Sequence, residues 1–150
     1  MENRITQFNR RINYLITETD AVYHNIALRL GLSDSTMMIL YVLTDAGGQC
    51  PLSAIYRQTG YSKQTVNSAL RKLETDSMVY LRPADGKSKI VCLTKNGTAL
   101  AARTAQKVLD AENEIYESWP EEELENYLRL TEKYLDALRK KSKELEICHL

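Results

Sequence analysis

Apolar residues recur every three or four positions over most of this chain, which is the repeat of an amphipathic α-helix. The first stripe spans residues 5–30 and predicts one long helix that ends at Gly31, where glycine tolerates a left-handed backbone. A second helix, capped by Ser33 or Asp34 and stopped at Gly47-Gly48, is apolar nearly all round. We expect that helix to form the buried centre of a mainly α-helical protein.

Two short helices follow in quick succession, at about residues 52–59 and 63–76, with Gly60 in the tight turn between them and Ser62 as the cap of the second. Two helices joined by a short turn that contains glycine are typical of a helix-turn-helix motif. The spacing places Val66, Ala69, Leu70 and Leu73 on one face of the second helix. Its other face carries amides, hydroxyls and cations and no carboxylate before Glu74: Lys63, Gln64, Thr65, Asn67, Ser68, Arg71 and Lys72.

The pattern changes at residues 78–82 and 89–93, where two short runs of β-branched, aromatic and aliphatic residues flank Asp85-Gly86. An Asp-Gly pair between such runs predicts a β-hairpin. Thr94 then caps a helix that continues to Trp119-Pro120, and Pro120 occupies the first position of a last long helix. The predicted fold class is therefore mainly α with a small β-hairpin.

Charge is distributed unevenly along the chain. The 20 Lys and Arg balance the 20 Asp and Glu, so the formal net charge is zero, which excludes a uniformly basic protein that coats nucleic acid. Residues 55–95, however, hold eight basic and three acidic residues, whereas residues 110–136 hold ten acidic and two basic ones. The basic segment coincides with the helix-turn-helix and hairpin, where a helix fits the DNA major groove and Asn, Gln, Arg and Lys can read base edges.

The remaining features exclude several other classes of protein. No apolar run is long enough to cross a membrane and the start of the chain is polar, so we expect a cytoplasmic protein without membrane contact. The cysteines show no metal-site spacing; Cys92 is expected in the core, while Cys50 and Cys148 are expected to be exposed enough to oxidise, with a regulatory role left open. His24 and His149 are isolated, so no metal and no cofactor is predicted.

The order of these elements over nearly all 150 residues resembles the MarR (multiple antibiotic resistance regulator) family of winged-helix transcription factors. Residues 62–74, SKQTVNSALRKLE, are similar to the family's recognition helix, and residues 78–82 are similar to the start of its wing. Residues 93–97, LTKNG, resemble the family's LT-x-x-G pattern at the end of the wing. The family commonly has Asp-x-Arg at the wing tip, whereas this chain has Asp85-Gly86-Lys87, so weaker minor-groove reading is expected.

The resemblance implies a homodimer whose two recognition helices enter successive major grooves of a pseudo-palindromic operator. It places a winged helix-turn-helix lobe at residues 32–97 and helical dimerisation regions at 1–31 and 98–150 of a single chain, 1–150. It assigns base contacts to Gln64, Thr65, Asn67, Ser68 and Arg71, and phosphate contacts to Ser62 and Lys63. The wing residues assigned to DNA are Arg82, Asp85, Gly86, Lys87 and Lys89.

The predicted function is therefore that of a sequence-specific transcriptional regulator, a repressor of double-stranded DNA sites that a small aromatic ligand can relieve. Peroxide-sensing relatives use a cysteine in the first helix, and no cysteine precedes Cys50 here. The alternative is a winged helix that has become a protein-protein interaction module. An enzyme is not predicted, because the sequence has no Gly-rich phosphate loop and no nucleophile elbow.

Overall fold

The structure is a computed structural model that describes residues 2–146. Within that range the helices are α1 (Arg4–Arg29), α2 (Asp34–Asp45), α3 (Leu52–Thr59), α4 (Lys63–Thr75), α5 (Lys95–Arg103), α6 (Ala105–Glu117) and α7 (Glu121–Glu146), and the strands are β1 (Gln49–Pro51), β2 (Val79–Pro83) and β3 (Lys89–Leu93). The predicted fold class, mainly α with a small β-hairpin, is confirmed. Cys148 and His149 lie outside the described residues.

Helix α2 is the centre of the core, as its sequence predicts. Its side chains Ile39, Leu40 and Leu43 are fully buried and pack with residues from the other helices and the sheet. The N-cap is Ser33, whose hydroxyl accepts a hydrogen bond from the Thr36 amide at 3.2 Å. Of the two predicted caps, Ser33 and Asp34, the structure therefore selects Ser33, and Asp34 becomes the first helical residue.

The sheet has three antiparallel strands in the order β1-β3-β2. The predicted hairpin of β2 and β3 is confirmed, with Val79 opposite Leu93 and Pro83 opposite Lys89. Strand β1 was not predicted; it pairs Cys50 with Val91 and adds an edge to the hairpin. Three residues that end in proline are too few to show the alternation of apolar and polar residues that indicates a strand. They form a strand only because they pair with β3.

The helix predicted from Thr94 to the Trp119-Pro120 break is wrong as a single element. It is divided at Thr104, whose backbone angles, φ −129° and ψ −91°, leave the helical region. Thr104 is 3% exposed, and its hydroxyl donates to the Leu100 carbonyl at 2.7 Å. Thr19 and Thr131 form the same kind of bond inside unbroken helices, so the bond alone does not cause the break, which accompanies the burial of Thr104 and Ala105 in the core. Neither glycine nor proline marks the break in the sequence. At the end of α6, Pro120 directly precedes α7 and is not its first residue.

The chain divides into two compact units, with the boundary between Leu109 and Asp110. In the second unit, Trp119 packs edge-on against Tyr116 and Tyr127, with ring centroids 5.3 and 5.6 Å apart. This aromatic cluster braces the corner between the end of α6 and the start of α7. In the described residues no single helix is long and apolar enough to cross a membrane, although α1 and α2, bent by 90°, pass that test as a pair.

Candidate nucleic-acid interface

The turn between α3 and α4 has the geometry that its sequence predicts. Gly60 ends α3 in the left-handed conformation, with φ 67°. Ser62 caps α4: its hydroxyl oxygen accepts from the Thr65 amide at 3.1 Å, while its proton is donated to the Thr65 hydroxyl at 2.9 Å. Because both hydroxyls take part in the cap, Ser62 and Thr65 are held in place at the start of the helix.

Helix α4 separates an apolar face from a polar one. Val66, Ala69, Leu70 and Leu73 are buried, as predicted. The predicted DNA-contacting residues lie on the other side, and we call them the reading face: Ser62, Lys63, Gln64, Thr65, Asn67, Ser68 and Arg71. All of them are exposed except Asn67, which is half-buried.

Asn67 is half-buried because it contacts the preceding helix. The Tyr56 hydroxyl, on α3, donates a hydrogen bond to Asn67 Oδ1 at 2.6 Å. The Lys63 ammonium lies 5.4 Å from the centroid of the same tyrosine ring, within the range of a cation-π contact. Nothing in the sequence alone pairs residues 56 and 67, since the contact depends on the angle at which α3 and α4 pack.

The tip of the hairpin exposes its charged residues. The Ala84 amide donates to the Ser88 carbonyl at 3.0 Å, and Gly86 has a left-handed backbone with φ 66°, so the predicted Asp-Gly turn is confirmed. The wing residues predicted to contact DNA are all exposed: Arg82, Asp85, Gly86, Lys87 and Lys89. In the part of the chain that the structure describes, Asp85 and Lys87 form no ion pair with each other.

Thr94 joins the base of the hairpin to the segment that follows α4. Its hydroxyl donates to the Ser77 carbonyl at 2.6 Å and accepts from the Gly97 amide at 2.9 Å, which caps α5. Its own amide donates to the Met78 carbonyl at 3.0 Å. A Cβ atom on Gly97 would lie 1.8 Å from the Met78 carbonyl oxygen, so the LT-x-x-G pattern has a steric cause.

The expectation that Cys50 is exposed is wrong. Cys50 is only 6% exposed because β1 pairs with β3, and burial, followed by the neighbouring Cys92, raises the pKa of its thiol. A buried thiol of raised pKa is a poor nucleophile, which removes the basis for a redox role at this position. Cys92 is 2% exposed, as predicted for a core residue.

His24 forms a structural contact. Its Nδ1 lies 2.9 Å from both carboxylate oxygens of Asp34 and links α1 to the start of α2. Within the described ranges, no group of three or more His, Cys, Asp or Glu side chains is placed to hold a metal ion.

These elements define a class of protein. A helix-turn-helix with an exposed polar second helix, followed directly by an antiparallel wing, is the winged-helix arrangement of DNA-binding proteins. Residues 30–89, which include α2, α3, α4 and β2, match the MarR family model. This match covers 60 of the 150 residues and agrees with the resemblance to the MarR family of transcription regulators over this part of the chain.

Solved structures of MarR family regulators share this fold. A regulator from Neisseria meningitidis aligns with a TM-score of 0.78 and 17% identity over 95% of this chain and 99% of its own. A regulator from Silicibacter pomeroyi aligns with a TM-score of 0.67 and 23% identity over 83% and 84% of the two chains. BpsR of Bordetella bronchiseptica, whose DNA binding is regulated by 6-hydroxynicotinic acid, aligns with a TM-score of 0.63 and 17% identity over 89% and 98%. No curated protein sequence matches the chain.

Proposed function

We propose that this protein is a homodimeric, cytoplasmic repressor that binds a pseudo-palindromic operator and is released by a small aromatic ligand. The observation that carries the proposal is the exposed, carboxylate-free reading face on a lobe with an excess of basic residues. The MarR fold supports a DNA-binding regulator as the general class. Dimerisation, repression and release by a ligand are the specific parts of the proposal.

The reading face enters the major groove in this proposal. Gln64, Ser68 and Arg71 lie one helical turn apart along α4, so their side chains can reach successive base pairs. Lys63 and the capped N-terminus at Ser62 lie where phosphate oxygens are attracted by the amide groups and the helix dipole. The wing, through Lys87 and Lys89, adds phosphate contacts that weaken as salt concentration rises.

A second copy of the chain is the proposed partner of the long helices. Helix α1 exposes Ile5 and Phe8 at 67% and 63%, and α7 exposes Leu128 and Tyr134 at 61% and 66%. Large apolar side chains exposed along a helix in this way are typical of helices that pack against a partner. We therefore assign the dimerisation regions to residues 1–31 and 98–150 and the DNA-binding lobe to 32–97.

The ligand-release part rests on likeness of fold. BpsR shows that DNA binding by a protein of this fold can be regulated by a hydroxylated aromatic acid. A molecule of that chemical class is the proposed effector here. Its addition is expected to lower the DNA affinity of the wild-type protein.

The test is selection of bound duplexes from a random pool, followed by gel shifts of the recovered sequence. We expect a palindrome with half-sites about 10 base pairs apart, bound in preference to random duplex by about a thousandfold or more. Arg71→Ala is expected to reduce DNA affinity and to relax the sequence preference. Lys87→Ala is expected to reduce affinity for all sequences and to lower the slope of log affinity against log salt concentration by about one. Lys107→Ala, which removes an exposed charge outside the lobe, is the matched control.

Random duplex that competes as well as the recovered sequence would favour the protein-protein module instead. Unchanged affinity and salt slope in both variants would overturn the assignment of Arg71 and Lys87.

A further inference from the structure

Tyr56 connects α3 to two side chains of the reading face. Its ring is half-buried and packs against the core, while its hydroxyl donates to Asn67 Oδ1 at 2.6 Å. The Lys63 ammonium lies 5.4 Å from the centre of the ring. Since residues 63 and 67 are four apart on α4, they lie on the same side of the helix and share this one tyrosine.

We infer that Tyr56 is a positioning residue that determines which base Asn67 reads. The inference rests on the proposed function, because it requires α4 to lie in the major groove. Tyr56 itself lies on α3 and acts through Asn67. Its effect is therefore on the sequence that is recognised and much less on the overall strength of binding.

The chemistry of the amide gives the direction of the effect. A free asparagine reads adenine with both ends, accepting from N6 through Oδ1 and donating to N7 through Nδ2. Here the Tyr56 hydroxyl fills one of the two lone pairs of Oδ1 and fixes the plane of the amide, so both Nδ2 hydrogens but only one Oδ1 lone pair are left for DNA. An amide that keeps its donors but has lost half of its acceptor capacity favours bases that present acceptors, namely N7 and O6 of guanine or O4 of thymine, over the amino group of adenine.

The Lys63 contact strengthens the same arrangement. A cation above the ring adds attraction to the ring that holds Asn67, and it orders the long lysine side chain beside the phosphates. This contact depends on the ring and not on the hydroxyl. The two functions of Tyr56 can therefore be separated by substitution, since phenylalanine keeps the ring and leucine removes it.

The experiment compares full-length variants on duplexes selected by the wild-type protein from a random pool, with every base substituted at each half-site position. At one position per half-site, Tyr56→Phe is expected to raise affinity for adenine relative to guanine or thymine by about five- to tenfold, because the second lone pair of Oδ1 is released and the amide plane is free to turn. Tyr56→Leu is expected to cause the same change in preference and also to weaken binding to all sequences. Tyr14→Phe on α1, which removes an exposed tyrosine hydroxyl outside the lobe, is the matched control.

A double-mutant comparison identifies the route of the effect. In an Asn67→Ala background, Tyr56→Phe is expected to leave base preference unchanged, whereas a merely structural role for Tyr56 would alter binding equally in both backgrounds. If Asn67→Ala changes the preferred base and Tyr56→Phe does not, this inference is overturned while the DNA-binding function stands. If the wild-type protein selects no sequence at all, it is the proposed function that fails.

Discussion

Gly97 is the described glycine at which an added side chain meets the most severe clash. A Cβ atom there would meet the Met78 carbonyl oxygen at 1.8 Å, and that oxygen also accepts from the amide and hydroxyl of Thr94. Backbone atoms on both sides of the contact cannot move apart without breaking these bonds. The position is therefore fixed by sterics and not by a special backbone angle.

Gly97→Ala is expected to lower the free energy of unfolding by about 3 kcal/mol, at the upper end of the cost of overpacking. The measurement is urea unfolding at fixed protein concentration, since the stability of the proposed dimer would depend on concentration. Asn96→Ala, one residue earlier and exposed, is the control and should change stability little. Equal stability of Gly97→Ala and wild type would show that the Met78 carbonyl oxygen leaves room for a Cβ atom at position 97.

The buried thiols give a second prediction at this scale. Burial raises the pKa of Cys50, so less of its thiol is ionised at neutral pH, and its reaction with a thiol reagent should be slow and should speed up as pH rises. In a Cys148→Ser variant, we expect both remaining thiols to react slowly in the native protein and rapidly in urea. If two thiols per chain reacted rapidly at pH 7 in the native variant, the burial of Cys50 and Cys92 would be contradicted.

At the scale of elements, the sequence predicted what local chemistry determines. The caps Ser62 and Thr94 could be recognised because a hydroxyl and the amide three residues later belong to the same short segment. Strand β1 could not be predicted in this way, because it forms only by pairing with β3, about 40 residues away along the chain. The Tyr56 contact with Asn67 was missed for the same reason: it is set by helix packing.

Ser62→Ala tests the cap of the recognition helix. Loss of the hydroxyl leaves the Thr65 amide without its acceptor, and we expect the free energy of unfolding to fall by about 1 kcal/mol. Ser68→Ala removes a serine hydroxyl from the exposed middle of the same helix and should be neutral or slightly stabilising. Thermal or urea unfolding of both variants makes the comparison, and a cost at Ser68 equal to that at Ser62 would argue against the cap.

At the scale of the whole molecule, the zero net charge conceals two segments of opposite sign. Residues 55–95 carry the basic excess and residues 110–136 the acidic one. A basic lobe attracts DNA, while acidic helices discourage adhesion of other surfaces to it. In the proposed function, the charge distribution therefore directs DNA to the lobe and away from the acidic helices.

The proposed dimer predicts the effect of a charge on α7. Leu128 is 61% exposed, and Leu128→Glu would place a carboxylate in the apolar contact between two copies. We expect the dissociation constant of the dimer to rise about tenfold or more, measured by sedimentation over a range of concentrations. Arg129→Glu, on the adjacent position of the same helix, is the control, and an equal effect of both changes would indicate general repulsion and not a defined interface.

The bonds that join the wing to the recognition helix have a consequence for how such a protein can diversify. They run through Thr94 and the carbonyls of Ser77 and Met78, none of which belongs to the reading face. Gln64 and Arg71 can therefore be exchanged over evolutionary time, and new operators acquired, without loss of the scaffold. Asn67 is different, because an apolar replacement there leaves the Tyr56 hydroxyl without its acceptor, so these two positions should be inherited together as a pair.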